Sequence, residues 1–254
     1  MKKSVSISIV LVALSLLFQY CASSDKYAVL HEVTGPIKTN CYLLYDLKSK
    51  EAALIDVGGP IDAHTNFIIE NNLKLKYIFA THCHMEHIEG VPAIKEKFPD
   101  ALVCYNKKEY EDLQVFREWI KENMSPEELA QMKQNPEIAK WFEYDLSLFR
   151  KPDIYLEDNQ VYRLGNQKIK TILSPGNSRG GICFYLGKAL FSGDVLSYRS
   201  AGRTDLLGGS STDLFHSVQK LYRSLPDQTI VYPGHGQFTD IGSEKIENER
   251  ISWR

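Results

Sequence analysis

The stretch THCHMEHIEG, residues 81 to 90, places three of the chain's seven histidines within six positions. His82, His84 and His87 are joined there by Glu86, and a glycine closes the run. The text just before it, KYIFA, is apolar and reads as a strand. The text after it, HIEGVPAIKEKF, reads as a helix. If the strand stays extended to His84, His82 and His84 leave it on one side, and His87 falls in the first helical turn. A strand-to-helix turn of this kind can wrap imidazoles around one centre. Neutral imidazoles and carboxylates are the donor set of a borderline or hard divalent metal. The order is not H-E-x-x-H on one helix, so the helical zinc-peptidase arrangement does not apply. Cys83, between two of the histidines, points the other way and reads as a buried neighbour.

Three further stretches share this layout of polar residues directly after an apolar strand. They are TILSPGN (171–177), ALFSGD (189–194) and TIVYPGHG (229–236). Strand ends are rigid platforms, and the loops that leave them carry sites. Brought together, they add Asn177, Asp194 and His235 to the histidine cluster. That exceeds the donors of one tetrahedral ion and hints at two metals.

Around these motifs the chain reads as strands in blocks with helices after them. YAVLHEV, NCYLLYD and EAALIDVG come first, then a helix over IDAHTNFIIENNL. After ALVCY, residues 106–150 turn charged, aromatic and helical. Val115, Phe116, Trp119 and Ile120 are spaced to share a face, and Ile138, Trp141, Phe142 and Asp145 another, weakened by the aspartate, with Phe149 close by. SPEEL (125–129) is a capped helix start. This insertion either packs on the core or forms a lid of Phe116, Trp119, Trp141 and Phe142 over a pocket. Strands return from QVYRLG onward, and STDLFHSVQKLYRSL fits a helix. A layered α+β or α/β sandwich follows.

The bulk numbers exclude some partners. A net charge of -2 over 254 residues leaves no basic stripe, so nucleic acid is not an expected partner. The N-terminus carries Lys2 and Lys3, then an apolar run from Val5 to Phe18, too short for a membrane span. Residues 1–24 read as an export signal, leaving 25–254 as one domain. Cleavage falls after Ser24, or before a lipidated Cys21, which would tether the chain to a membrane. A periplasmic, secreted or cell-surface location is expected. Cys41, Cys104 and Cys183 lie in strand text and read as buried free thiols.

The motifs resemble those of the metallo-β-lactamase-fold hydrolases, and most those of the short glyoxalase II (hydroxyacylglutathione hydrolase)-like branch. THCHMEHIEG stands where that family has T-H-x-H-x-D-H-x-x-G. SPGNSRGG (174–181), FSGD (191–194), GRTDLLGGS (202–210) and YPGHGQFTDIGSEKIEN follow in the family's order. The resemblance spans roughly Tyr27 to Asn248. It implies a four-layer αββα sandwich with the metals at one edge. It also implies that His82 and His84 hold a first metal, that Glu86, His87 and His235 hold a second, and that Asp194 bridges them and holds the nucleophile. Asp56, in LIDVGG, would orient ligands from behind.

Two positions depart from the family. Asn177 replaces a histidine and offers only a neutral oxygen; Glu86 replaces an aspartate and adds a methylene. The first site is expected to be weak, with Asn177 a poor ligand or a pocket residue. Zinc is the expected metal, as one or two ions, with iron or manganese as alternatives that the added oxygen character would suit. The implied chemistry is hydrolysis of a small thioester, ester or lactone by metal-activated water. Other readings are a binding protein that has lost its rate, a mononuclear-iron persulfide oxygenase, and a β-lactamase-like enzyme. Nothing in the sequence fixes the oligomeric state.

Overall fold

The computed structural model describes residues 19–23 and 26–251. Its centre is strand β3 (Thr39–Asp46), buried at every position. Burial on both faces requires layers on both sides. Alternate β3 residues serve them: Cys41, Leu43 and Tyr45 join one apolar cluster, Tyr42 and Leu44 another.

A seven-stranded sheet is built around it in the order β1-β2-β3-β4-β5-β6-β7. The other members are β1 (Gln19–Ser23), β2 (Tyr27–Thr34), β4 (Glu51–Ile55), β5 (Lys74–Phe79), β6 (Leu102–Asn106) and β7 (Ile154–Leu156). The first four strands pair antiparallel, and β4 through β7 run parallel. A six-stranded sheet faces it: β8 (Val161–Leu164), β9 (Gln167–Leu173), β10 (Ile182–Leu186), β11 (Ala189–Gly193), β12 (Ile230–Pro233) and β13 (Thr239–Asp240), each beside the next.

Phe79, Phe184, Phe191 and Tyr232 fill the space between the sheets with Tyr42 and Leu44. Outside the first sheet lie α1 (Asp62–Glu70), α2 (Met85–Ile88) and α3 (Val91–Lys97). Outside the second lie α7 (Ser211–Ser224) and α8 (Ile241–Glu247). The four-layer αββα arrangement expected from the sequence is present.

The insertion folds as α4 (Lys107–Asn123), α5 (Pro126–Met132), α6 (Pro136–Glu143) and a 3-10 turn. Ser125 and Glu128 form the expected capping box. Among the described residues Cys41, Cys83, Cys104 and Cys183 are buried and free. No helix of the described residues is long and apolar enough to cross a membrane. The apolar run Val5 to Phe18 lies outside the described residues, while β1 falls within the stretch read as a signal.

One expectation needs correction. Val115 does not share the packed face of α4; it is 48% exposed. Glu109, Asp112, Leu113 and Ile120 are the buried positions instead. Ile120 keeps its place on the packed face, but that face continues toward Leu113, Asp112 and Glu109, because two carboxylates occupy inward positions that hydrophobicity alone assigns to solvent.

Candidate metal centre

The motifs meet at the ends of β4, β5, β9, β11 and β12. The geometry starts at Asp56, one residue past β4. Its backbone is left-handed, φ 59°, a conformation aspartate tolerates better than most residues. Its N–H donates to the Phe79 carbonyl at 3.0 Å, which sets it against the end of β5. Oδ1 then accepts from Thr81 N and Oδ2 from Thr81 Oγ1, both at 2.8 Å. The same Oδ2 lies 3.1 Å from His87 Nδ1.

These bonds assign protons. The Thr81 hydroxyl proton is committed to Asp56, so Thr81 Oγ1 accepts from His82 Nδ1 at 3.0 Å. His87 Nδ1 must likewise donate, because a carboxylate only accepts. One buried carboxylate thus turns the Nε2 atoms of His82 and His87 inward. Lys38 does the same for His235, whose Nδ1 lies 3.4 Å from its carbonyl oxygen. The loop of His235 is held by Asn40, whose side chain donates to the carbonyls of Pro233 and Gly236. His31 Nε2, 2.8 Å away, donates to the Asn40 amide oxygen.

The inward atoms surround Asp194. Its Oδ1 is 3.6 Å from His87 Nε2 and 3.8 Å from His235 Nε2; its Oδ2 is 4.0 Å from His82 Nε2. His84 Nδ1 lies 3.0 Å from His82 Nε2. Among the described residues two metal-capable groups result. One is His82, His84 and Asp194; the other is Glu86, His87 and His235, each with donor atoms within 4.8 Å of one another. The extra methylene of Glu86 has not taken its carboxylate out of reach. Its backbone is set by Gly58, where a Cβ would come 1.7 Å from the Glu86 carbonyl oxygen.

Electrostatics point the same way. Burial opposes charge on Asp194, yet His87, His82 and His235 hold its carboxyl well below the usual range. Burial, with His87 and His84 adding to it, pushes His82 toward the neutral form a ligand needs. Burial also opposes charge on His87, but Asp194 and Asp56 outweigh it and hold its protonation well above the usual range. A proton or a cation between His87 and Asp194 satisfies both, so the two compete for one place.

The fit to a metal rests on orphaned atoms. His87 Nε2 and the Asn177 amide oxygen are buried without a hydrogen-bond partner. Leaving such groups unpaired costs about 1–3 kcal/mol each. Asn177 Nδ2 donates to the Arg203 carbonyl at 3.0 Å, which fixes which end of the amide stays unpaired. Asn177, His82 and Asp194 line one small cavity. The donor set of imidazoles, carboxylates and one amide oxygen suits a divalent cation.

The expected site residues therefore come together, with Asp56 behind them. The lid expectation does not hold as a unit. Phe116 lines a cleft beside His84 and Leu207, and Trp119 stacks on it with centroids 6.4 Å apart. Trp141 instead packs against the core and donates to Glu89 at 2.6 Å, while Phe142 lies under Lys133. Trp141 is an anchor because its indole N–H finds a carboxylate there. Sequence reading missed Thr81, Asn40, His31 and Glu109 as supports. Thr81 stood in the quoted motif and could have been found; the others carry no local signal.

Residues 34–235 match the family described as the metallo-beta-lactamase superfamily. YqgX of Bacillus subtilis, a probable metallo-hydrolase, is 29% identical over 217 residues, covering 84% of this chain and 92% of its own. BaeB of Bacillus velezensis, a probable polyketide biosynthesis zinc-dependent hydrolase, is 29% identical over 209 residues, covering 82% and 77%. Among solved structures, BLEG-1 B3 metallo-beta-lactamase aligns with TM-score 0.69 at 32% identity, over 87% of this chain and 98% of that one. TTHA1623 in a di-iron-bound form gives 0.67 at 27%, over 86% and 98%. ETHE1 from Myxococcus xanthus gives 0.67 at 26%, over 87% and 83%. With its motifs at one edge of this sandwich and the family matched across residues 34–235, the chain belongs to the metallo-beta-lactamase superfamily.

Proposed function

We propose that the protein hydrolyses a small thioester, ester or lactone, with one or two divalent ions held at Asp194. The observation that carries this reading is the pair of ligand groups meeting on that carboxylate, with His87 Nε2 and the Asn177 oxygen buried and unpaired. His82, His84 and Asn177 would hold the first ion, and Glu86, His87 and His235 the second, with Asp194 between. Such ions supply Lewis acidity and lower the pKa of water toward about 7.

The chain's own residues do the rest. Asp56, bonded directly to His87 and through Thr81 to His82, takes up their outward nitrogens and turns Nε2 of each inward. Asp194, ionised and central, accepts a hydrogen bond from the attacking water and aims its oxygen at the substrate carbonyl. Attack forms the new C–O bond. Collapse breaks the bond to sulfur or oxygen, and that leaving atom takes the proton. The cleft beside His84, walled by Leu113, Phe116 and Leu207, is the place for the acyl part.

The test is turnover of thioesters, esters, lactones and β-lactams by the purified chain with zinc, manganese or iron(II). Hydrolysis of at least one class, lost in His235→Ala, supports the reading. Equal rates for wild type and His235→Ala on every substrate overturn it and leave a binding protein. The neutral oxygen of Asn177, and the di-iron form of a relative, favour iron as a second candidate metal. Oxygen uptake with a persulfide and iron(II), and no hydrolysis, would mark an oxygenase instead. We also place the protein outside the cytoplasm, on the Lys2-Lys3 and Val5 to Phe18 pattern. Cleavage after Ser24 would remove β1 and leave β2 as the sheet edge. N-terminal sequencing of the exported chain decides this.

A further inference from the structure

We propose that Glu109, on the inserted helix α4, is a positioning residue that fixes the spacing of the two loops forming the first ligand group. The inference rests on reading His82, His84, Asp194 and Asn177 as a metal site.

Glu109 is 2% exposed. Its Oε2 accepts from the Cys83 N–H at 2.8 Å, and its Oε1 from the Gly180 N–H at 2.7 Å. Cys83 stands between His82 and His84, and Gly180 is three residues past Asn177. One rigid carboxylate therefore joins the backbone of the histidine loop to the backbone of the asparagine loop. No other side chain in the described structure bonds to the backbone of both loops.

The rest of the helix start reinforces this placement. Asn106 caps α4 by accepting from Lys108 N at 2.9 Å, and its side-chain N–H donates to Leu156 O at 2.8 Å. Gly180 sits so close to Asn106 that a Cβ there would meet the Asn106 Oδ1 at 2.6 Å. One turn along, Asp112 pairs with Arg179, the neighbour of Gly180. The loop carrying Asn177 is seated on this end of the insertion. The far end is held separately, by Trp141 and Tyr144 on Glu89.

A carboxylate is an expensive way to join two loops if stability is the only return. Burying it costs several kcal/mol unless its oxygens are bonded. What it provides is two short charge-assisted bonds with directional demands. That matters because Asn177 is a weak donor: an amide oxygen binds a metal well only if it is presented at the right distance. Errors of about 1 Å are costly at such sites. The insertion then acts as a template for the first ion rather than as a closing lid.

The test compares wild type, Glu109→Gln, Glu109→Ala, Glu109→Asp and the control Glu89→Gln. Zinc binding is followed by calorimetry and metal analysis. Amide exchange is followed in the metal-free chain, and melting temperature in both states. In Glu109→Gln, which keeps shape but can accept from only one of the two N–H groups, the first ion should bind about tenfold or more weakly. The ion at Glu86, His87 and His235 should be retained. Exchange should rise in residues 81–84 and 177–181 and not in the sheets. Glu109→Asp should recover part of the affinity, and Glu89→Gln should leave it unchanged. Equal weakening of both ions, or a lower melting temperature with unchanged loop exchange, overturns the proposal. If wild type binds no zinc, the metal reading fails. Loop exchange then decides for Glu109 alone: a rise confined to the two loops supports it, and no rise overturns it. Should Glu109→Ala not fold, Glu109→Gln carries the comparison.

Discussion

The two ligand groups meet at Asp194 but are supported differently. In the group of Glu86, His87 and His235, two imidazoles are aimed by hydrogen bonds to their far nitrogens, from Asp56 and from the Lys38 carbonyl. Those partners sit just past the end of β4 and just before β3, each in a left-handed backbone conformation. In the group of His82, His84 and Asn177, only His82 is aimed this way, through Thr81. The others depend on where two loops lie, and those loops are tied to an insertion. If these groups hold ions, the first arrangement corrects orientation and would tolerate a longer carboxylate such as Glu86. The second fixes position and would compensate for the neutral oxygen of Asn177.

This contrast can be broken outright at the shared residue. Asp194→Asn removes the negative charge that faces three histidines, and both ions should be lost together. Because even outer partners of metal ligands are worth about 10–100-fold, turnover should fall by more than about 100-fold. Metal analysis showing one ion fully retained would mean that the groups do not share this carboxylate.

Next in size is Asp56→Asn. It disturbs His87 directly and His82 only through Thr81, so the second ion should weaken by about 10–100-fold and the first by less. Zinc titration resolves the two steps; equal weakening would erase the distinction drawn here.

Asn177→His should act in the opposite direction, tightening the first ion by roughly tenfold, with little effect on the second. No gain would show that the loop does not present position 177 to the ion.

The smallest effect concerns the sheet behind His235. His64 on α1 is pushed down to about 3 by burial, with His31 adding to it, against about 6.5 when unfolded. A depressed histidine favours the neutral folded form. Its contribution is therefore complete above about pH 6.5 and is lost as pH falls toward about 3. Glu32 binds the N–H groups of Ala63 and His64, so this region joins α1 to β2, which carries His31. The melting temperature should fall between pH 6.5 and 4. His64→Gln should flatten that slope, and an unchanged slope would remove His64 as its cause.

Much of this was readable in the chain. Periodicity placed β2 to β6, β8 to β12, α1 and α7, because each buries a full face and so keeps a full pattern. It missed β7 and β13, of three and two residues, because strands that short owe their pairing to neighbours. It also misjudged α4 and Trp141, where inward carboxylates and an indole N–H are satisfied by partners far along the chain.

Sequence alone determined the donor types, their places at strand ends and the two departures at Glu86 and Asn177, since these are covalent facts read in order. Only the tertiary structure decided which atoms face Asp194, which nitrogen of each histidine is turned inward, and which carboxylate bonds to both loops. Those depend on hydrogen bonds between residues far apart in the chain, such as Asp56 with Thr81, Glu109 with Gly180 and His235 with Lys38, and no local pattern encodes such a distance.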